Sequence, residues 1–188
     1  DGVQNTSLEC LKILPSHIDL VGAEIELLQV EERESVLKKV LAGIKDDYDF
    51  ILIDCSPSLG MVTVNALTAA DSVLIPVQAE YFALEGIAKL VNTMQIVKKK
   101  LNPSLSIEGF LITMYDPRAR LGRQVIEEIT RYFGEMTFQT VINRNVKLAE
   151  APSFGQSIIE YDIESKGAQN YMQFTQEFLA RNASKTYS

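Results

Sequence analysis

With 188 residues, 46% of them hydrophobic and 23% charged, the chain has the size and balance of one folded domain with a real core. No continuous apolar stretch is long enough to cross a bilayer, and the polar opening Asp1-Gly2-Val3-Gln4-Asn5 does not read as a secretory signal. A formal charge of −7 argues against a protein that is basic all over, and two unframed cysteines, Cys10 and Cys55, with one histidine, His17, argue against a zinc site and fit a reducing cytoplasm.

Taken in chain order, apolar runs alternate with helical patterns, as a parallel α/β sheet requires. The opening is the least decided part: Leu11 to Pro15 reads as a strand and Asp19 to Leu28 as a short helix. Val36, Leu37, Val40, Leu41 and Ile44 then share one helical face between charged flanks. Tyr48 to Asp54 reads as a buried strand that runs into an acid. A Ser-Pro-Ser turn leads to a short helix near Val62 to Ala70, and Ser72 to Val77 is a second strand, broken by Pro76. Leu84, Ile87, Val91 and Met94 stripe the next helix, whose end at Lys98-Lys99-Lys100 suits the negative pole of a helix. Ile107 to Tyr115 is the third strand, and Leu121, Val125, Ile129 and Tyr132 line the helix after it. Phe138 to Ile142 is the fourth. A polar loop with Pro152 and Gly155 precedes a last amphipathic helix carrying Ala168, Tyr171, Thr175 and Phe178. No repeat, low-complexity tract or linker interrupts the series, so residues 1–188 read as a single α/β domain.

The densest chemistry lies in Phe50-Ile51-Leu52-Ile53-Asp54-Cys55-Ser56-Pro57-Ser58-Leu59-Gly60. An acid at the carboxyl end of a buried strand stands where α/β folds place ligands. A carboxylate there can hold Mg²⁺ through its water shell, because hard cations prefer oxygen. The bland alternative, an aspartate that caps a turn, is equally compatible with this pattern. Cys55 reads as a small buried residue rather than a nucleophile, and His17 as a residue of a polar turn.

Charge is unevenly spread. Lys98, Lys99, Lys100, Arg118, Arg120, Arg123, Arg131, Arg144 and Lys147 face only Glu108, Asp116, Glu127, Glu128 and Glu135 in the same stretch, a local charge of +4 that leaves −11 elsewhere. A basic face on an acidic body is a weak signal for a polyanionic partner. A solvated surface whose arginines pair with Glu127, Glu128 and Asp116 explains the same residues.

The string from Asp54 to Gly60, with its continuation from Asn65 through Asp71 to Val77, resembles the Walker B and switch II region of the ParA/Soj family. Glu80-Tyr81-Phe82-Ala83-Leu84-Glu85-Gly86, Thr113-Met114-Tyr115-Asp116-Pro117-Arg118 and the stretch from Ile142 to Ser153 resemble that family as well. The likeness runs from about Leu14 to about Asn182. It implies a deviant Walker-type P-loop ATPase of ParA/MinD type: a parallel sheet flanked by helices, N-terminally incomplete in this chain. It further implies ATP and Mg²⁺ as cofactors, a homodimer, non-specific DNA, a ParB-type centromere-binding partner, and a cytoplasmic, nucleoid-associated setting without a membrane. Carried over residue by residue, Asp54 would be the Walker B acid at the magnesium. Ser56 and Pro57 would belong to switch II, and Thr113, Met114, Ile142 and Asn143 would flank the adenine. Asn143 stands where family members usually have proline. Glu80 and Tyr81 would lie near the dimer interface, and Arg118, Arg120, Arg123, Arg144 and Lys147 would meet DNA phosphates.

No G-x-x-x-x-G-K-[ST] occurs in the sequence. The family's phosphate-cradling loop and switch I are therefore not among these residues, and the chain by itself is expected not to hydrolyse ATP. Two other classes compete with a partition ATPase: a non-catalytic DNA-binding or dimerisation module, and a MinD-like membrane-associated ATPase. The closing residues Arg181 to Ser188 offer too little apolar surface for the latter.

Overall fold

The computed structural model describes residues 2–55, 60–80 and 83–183. They fall into two compact units, Asp1–Ala70 with Val97–Pro103, and Asp71–Ile96 with Ser104–Ser188.

In the first unit, β1 (Gln4–Asn5) and β2 (Lys12–Ile13) pair antiparallel, Gln4 opposite Ile13. The strand expected over Leu11 to Pro15 is thus a two-residue arm of a hairpin. Helices α1 (Leu20–Glu26), α2 (Val36–Leu41) and α3 (Met61–Ala69) follow. The stripe expected on α2 is half-buried at Val36, Leu37 and Leu41, while Val40 faces solvent. Helix α3 is the buried one. Its Asn65 accepts from the backbone N–H of Leu37 at 3.1 Å and donates to the carbonyls of Arg33 and Met61. Asn102 donates to the carbonyls of Leu67 and Ala70, two of the groups a helix end leaves without intrahelical partners.

The buried strand expected over Tyr48 to Asp54 is absent. Residues 50–55 belong to neither sheet, and Leu52 is 86% exposed. A strand exists only by pairing its backbone with a neighbour, and among the described residues none supplies a ladder for this run. Cys55, expected to be buried, is exposed for the same reason.

The second unit holds a three-stranded parallel sheet of order β3-β4-β5, formed by Ser72–Gln78, Ser106–Tyr115 and Thr137–Asn143. Helix α4 (Ala83–Lys100) connects β3 to β4, and α5 (Arg120–Phe133) connects β4 to β5, the crossovers that parallel pairing demands. Pro76 does not break β3; it is paired opposite Leu111. Proline is tolerated there because β3 is the edge of the described sheet, where no ladder needs its missing N–H.

Phe110 and Ile112 of β4 are 0% exposed, and Leu111 between them is 3%. Alternation sends the two sets to opposite faces. Phe110 stacks on Phe133 of α5 at 4.0 Å. Leu111, Phe138 and Ile142 pack with Phe174 and Phe178 of α8 (Lys166–Asn182). Helices therefore cover both faces, and the expected sheet flanked by helices is the observed architecture.

Two helical faces and one loop depart in part from their sequence reading, with the expected Val125, Ile129, Ala168 and Phe178 keeping their inward places. On α5 the buried line is Gly122, Val125 and Ile129, while Leu121 and Tyr132 are exposed. On α8 the buried residues are Gly167, Ala168 and Asn170, with Phe174 and Phe178 half-buried against the core; Tyr171 and Thr175 face outward. The loop expected around Pro152 and Gly155 is instead α6 (Val146–Glu150), a 3-10 turn over Ala151–Phe154 and α7 (Ile158–Tyr161). Asn145 starts α6 as its N-cap, and Ser157 with Glu160 forms a capping box on α7, so short polar-flanked segments become helical.

Candidate nucleotide and nucleic-acid surfaces

The carboxyl ends of β4 and β5 lie side by side, and most of the residues singled out in the sequence converge there. Met114 has φ of +54°, the left-handed region that a non-glycine residue enters only when its surroundings hold it. The hold comes from both sides. The Thr113 carbonyl accepts from the Ala79 N–H at 3.2 Å, and the Tyr115 carbonyl accepts from the Arg144 N–H at 2.9 Å. Ile142 is 2% exposed and packs in the core cluster. Asn143 donates through both its backbone N–H and its side-chain amide to Asn170 Oδ1, at 3.1 and 2.9 Å. The strand ends are thus fixed in place, with Met114 left 43% exposed at the rim.

Five exposed cations follow these two ends along the chain. Arg118 sits in the turn after β4, its side chain 89% exposed. Its Nε and Nη2 reach the two carboxylate oxygens of Asp116 at 3.1 and 3.0 Å, and its backbone N–H donates to Asp116 Oδ1 at 3.0 Å. The hydrogen bonds from the Arg118 side chain, then from its backbone, hold the Asp116 carboxyl below its ordinary value, helped by the charges of Arg118 and Arg144. Arg120 and Arg123 lie exposed in the first turn of α5, and Arg144 follows β5, also exposed.

Lys147 stands in the first turn of α6, placed there by the Asn145 cap that accepts its N–H at 2.8 Å. Its ammonium lies 3.1 Å from Glu150 and 5.4 Å from the Tyr161 ring centroid, and the Tyr161 hydroxyl donates to Glu150 at 3.1 Å. The Lys147 hydrogen bond first, and the Tyr161 hydroxyl second, lower the Glu150 carboxyl; the Lys147 ammonium is raised in turn. Sequence reasoning passed over Glu150, Tyr161 and Asn170. Glu150 was recoverable from its place three residues after Lys147 on a helix. Nothing local announced Tyr161 and Asn170, which arrive from later elements.

Glu80 is exposed and lines a cleft of about 280 Å³ with Ile75, Pro76, Val77, Gln78, Gly86, Ile87 and Leu90. Tyr81, Ser56 and Pro57 lie outside the described residues. Asp54 is in the first unit and exposed. Among the described residues no three His, Cys, Asp or Glu side chains gather as a metal site. A lone exposed carboxylate fits a magnesium ion that takes its other ligands from water and phosphate, as Mg²⁺ commonly does. Desolvation of the Cys55 sulfur, and then the Asp54 charge, push that thiol up, away from the thiolate a nucleophile needs. His17 is an exposed turn residue against Asp19.

Among known proteins, residues 1–107 match a family described as an AAA domain, so the likeness reaches ahead of Leu14, where the motifs made it begin. The sporulation initiation inhibitor protein Soj of Bacillus subtilis is 53% identical over 180 residues, which cover 96% of this chain and 71% of that protein. The chromosome partitioning protein ParA of Myxococcus xanthus is 49% identical over 181 residues, 96% of this chain and 64% of that one. The chain thus spans roughly two thirds of the length of these relatives. In three dimensions it is similar to cobyrinic acid a,c-diamide synthase from Mycobacterium smegmatis with bound ADP and magnesium, with a TM-score of 0.79 and 34% identity over 97% of this chain and 66% of that one. Half the residues are shared with proteins named for chromosome partitioning, along nearly the whole sequence, and the sheet and its helices are those of a nucleotide-binding fold. This chain belongs to the ParA/Soj family of chromosome-partitioning ATPases.

Proposed function

We propose that the chain serves DNA segregation as part of a partition ATPase, and that its own residues supply the DNA-facing surface. The observation behind this is the placement of Arg118, Arg120, Arg123, Arg144 and Lys147 after two neighbouring strand ends, with every one of them exposed. Phosphate contacts need cations and no base-reading geometry, which suits a protein that must bind any chromosomal sequence. Residues 1–188 act as one α/β domain in this reading.

The nucleotide is ATP with Mg²⁺. Asp54 holds the metal through water, and Ser56 and Pro57 belong to the loop that senses the terminal phosphate. Thr113 and Met114 flank the adenine. Because Ile142 is buried and the Asn143 amide is engaged by Asn170, these two present mainly backbone to the base. ATP closes a homodimer near Glu80 and Tyr81, which doubles the cationic surface and ties DNA affinity to the nucleotide. A ParB-type protein stimulates hydrolysis, and the setting is the nucleoid in the cytoplasm.

The test compares ATP binding and turnover by the 188-residue chain and by a version extended with a family phosphate loop, each also titrated with DNA. The expected result is turnover by the extended protein alone. Hydrolysis by the 188 residues themselves would overturn the assignment of the missing phosphate loop. DNA binding by both forms with no nucleotide binding by either would favour a non-catalytic DNA-binding module.

A further inference from the structure

The cationic surface is not uniform. Arg118 and Lys147 each have a carboxylate within 3.1 Å, whereas among the described residues no carboxylate lies within ion-pair distance of Arg120, Arg123 or Arg144. The two carboxylates are also tethered from a second side. Asp116 accepts the Arg118 backbone N–H at 3.0 Å, and Glu150 accepts the Tyr161 hydroxyl at 3.1 Å. An arriving phosphate would have to break these contacts as well before either acid could turn into solvent.

We propose that Asp116 and Glu150 are built-in counter-ions of the DNA-facing surface, fixed negative charges that hold Arg118 and Lys147 and weaken their grip on phosphate. This rests on the reading that the surface binds DNA. The chemistry is competitive. A guanidinium meets phosphate and carboxylate through the same pair of parallel N–H groups, and Asp116 already occupies Nε and Nη2 of Arg118. A lysine ammonium has three donors, so Lys147 can keep Glu150 and still reach a phosphate, but the nearby negative charge remains. Each neutralised phosphate contributes about 0.9 to the slope of log affinity against log salt, and a cation that carries its own anion contributes less. The surface thereby binds DNA loosely at Arg118 and Lys147, and Arg144 feels the Asp116 charge from farther off, while Arg120 and Arg123 have no such counter-ion among the described residues.

The experiment measures binding of the 188-residue chain, and of the version extended with a family phosphate loop in ATP and Mg²⁺, to a labelled duplex of arbitrary sequence across a sodium chloride series. Asp116→Asn, Glu150→Gln, Asp116→Glu and Arg118→Ala are run beside the unchanged chain. Asparagine keeps an oxygen for the Arg118 N–H, and glutamine keeps one for the Tyr161 hydroxyl, so each removes charge with little change of shape. At low salt Asp116→Asn and Glu150→Gln are each expected to bind about two- to five-fold more tightly, the range of an exposed ion pair. Their salt slopes should steepen by up to about 0.9. Asp116→Glu should return binding towards that of the unchanged chain. If both charge-removing variants bind equally or more weakly with unchanged slopes while Arg118→Ala loses affinity, the counter-ion role is overturned and the DNA surface stands. If neither the unchanged chain nor any variant binds DNA in either form, both fall together. Glu150→Gln, on a different element, keeps the proposal open to refutation should the turn at Asp116 fail to tolerate asparagine.

Discussion

At the scale of single residues, Glu177 joins structure to acid stability. Its carboxylate accepts the backbone N–H groups of Gln139 and Thr140 at 2.8 and 2.9 Å and receives Arg181 at 2.7 Å, so α8 side chains close the outer edge of β5. Burial opposes the charge most strongly, yet the hydrogen bonds from Gln139, Thr140 and Arg181 outweigh it and bring the carboxyl below its ordinary 4.5. A group depressed in the folded state stabilises the fold above its unfolded pKa and ceases to do so as pH falls through the folded value. The contribution should therefore be whole at pH 7 and vanish progressively below about pH 4.5. Glu177→Gln leaves one of two backbone donors unanswered and should cost about 1–3 kcal/mol at pH 7. Urea unfolding at pH 7 and near pH 3.5 checks this, with the difference between variant and parent shrinking at the lower pH. Only the pairing with Arg181, four residues on along α8, is legible in the sequence; the two backbone donors lie 37 and 38 residues earlier in the chain.

At the scale of elements, the parallel strands and long helices were legible because each follows a period that local side chains enforce. β4 is buried on both faces and reads as a continuous apolar run, as central parallel strands do. What decides the fit between β4 and β5 is less visible. A Cβ on Gly109 would stand 2.5 Å from the Phe138 ring and 2.7 Å from the Met136 carbonyl oxygen. Gly109→Ala must push a buried aromatic ring or the backbone of the turn before β5, and overpacking of this kind costs about 1–3 kcal/mol. A lowered thermal midpoint with a retained parallel-sheet spectrum is expected; an unchanged midpoint would mean that the Phe138 ring and the turn before β5 give way without cost. The faces of α5 and α8 were legible at Val125, Ile129, Ala168 and Phe178 but not at their small residues, for a related reason. Gly122 against the Tyr115 ring and Gly167 against Leu148 are contact points where small size matters more than hydrophobicity, and a search for large apolar residues misses them.

For the molecule as a whole, Leu52 is 86% exposed, with Phe50 at 49% and Ile51 at 38%, an apolar run such as soluble proteins keep small. Concentration-dependent self-association is expected despite the charge of −7. Leu52→Lys should reduce it in light scattering while shifting stability by no more than about 0.5 kcal/mol, since the side chain is already in water. A large loss of stability would instead show that Leu52 is packed. The sequence by itself determined the alternation of strand and helix, the three parallel strands, the family, and the identity of the cations, because periodicity and motif spacing are local properties of the chain. Only the tertiary structure decided that the run before Asp54 stands outside the sheet, that Pro76 sits at an edge of the described sheet, and that Tyr161, from a later helix, ties down the carboxylate beside Lys147. A strand needs a partner for its backbone, and a charge takes its strength from its neighbours; both are supplied by residues distant in the chain or by the turn of a helix, which composition cannot report.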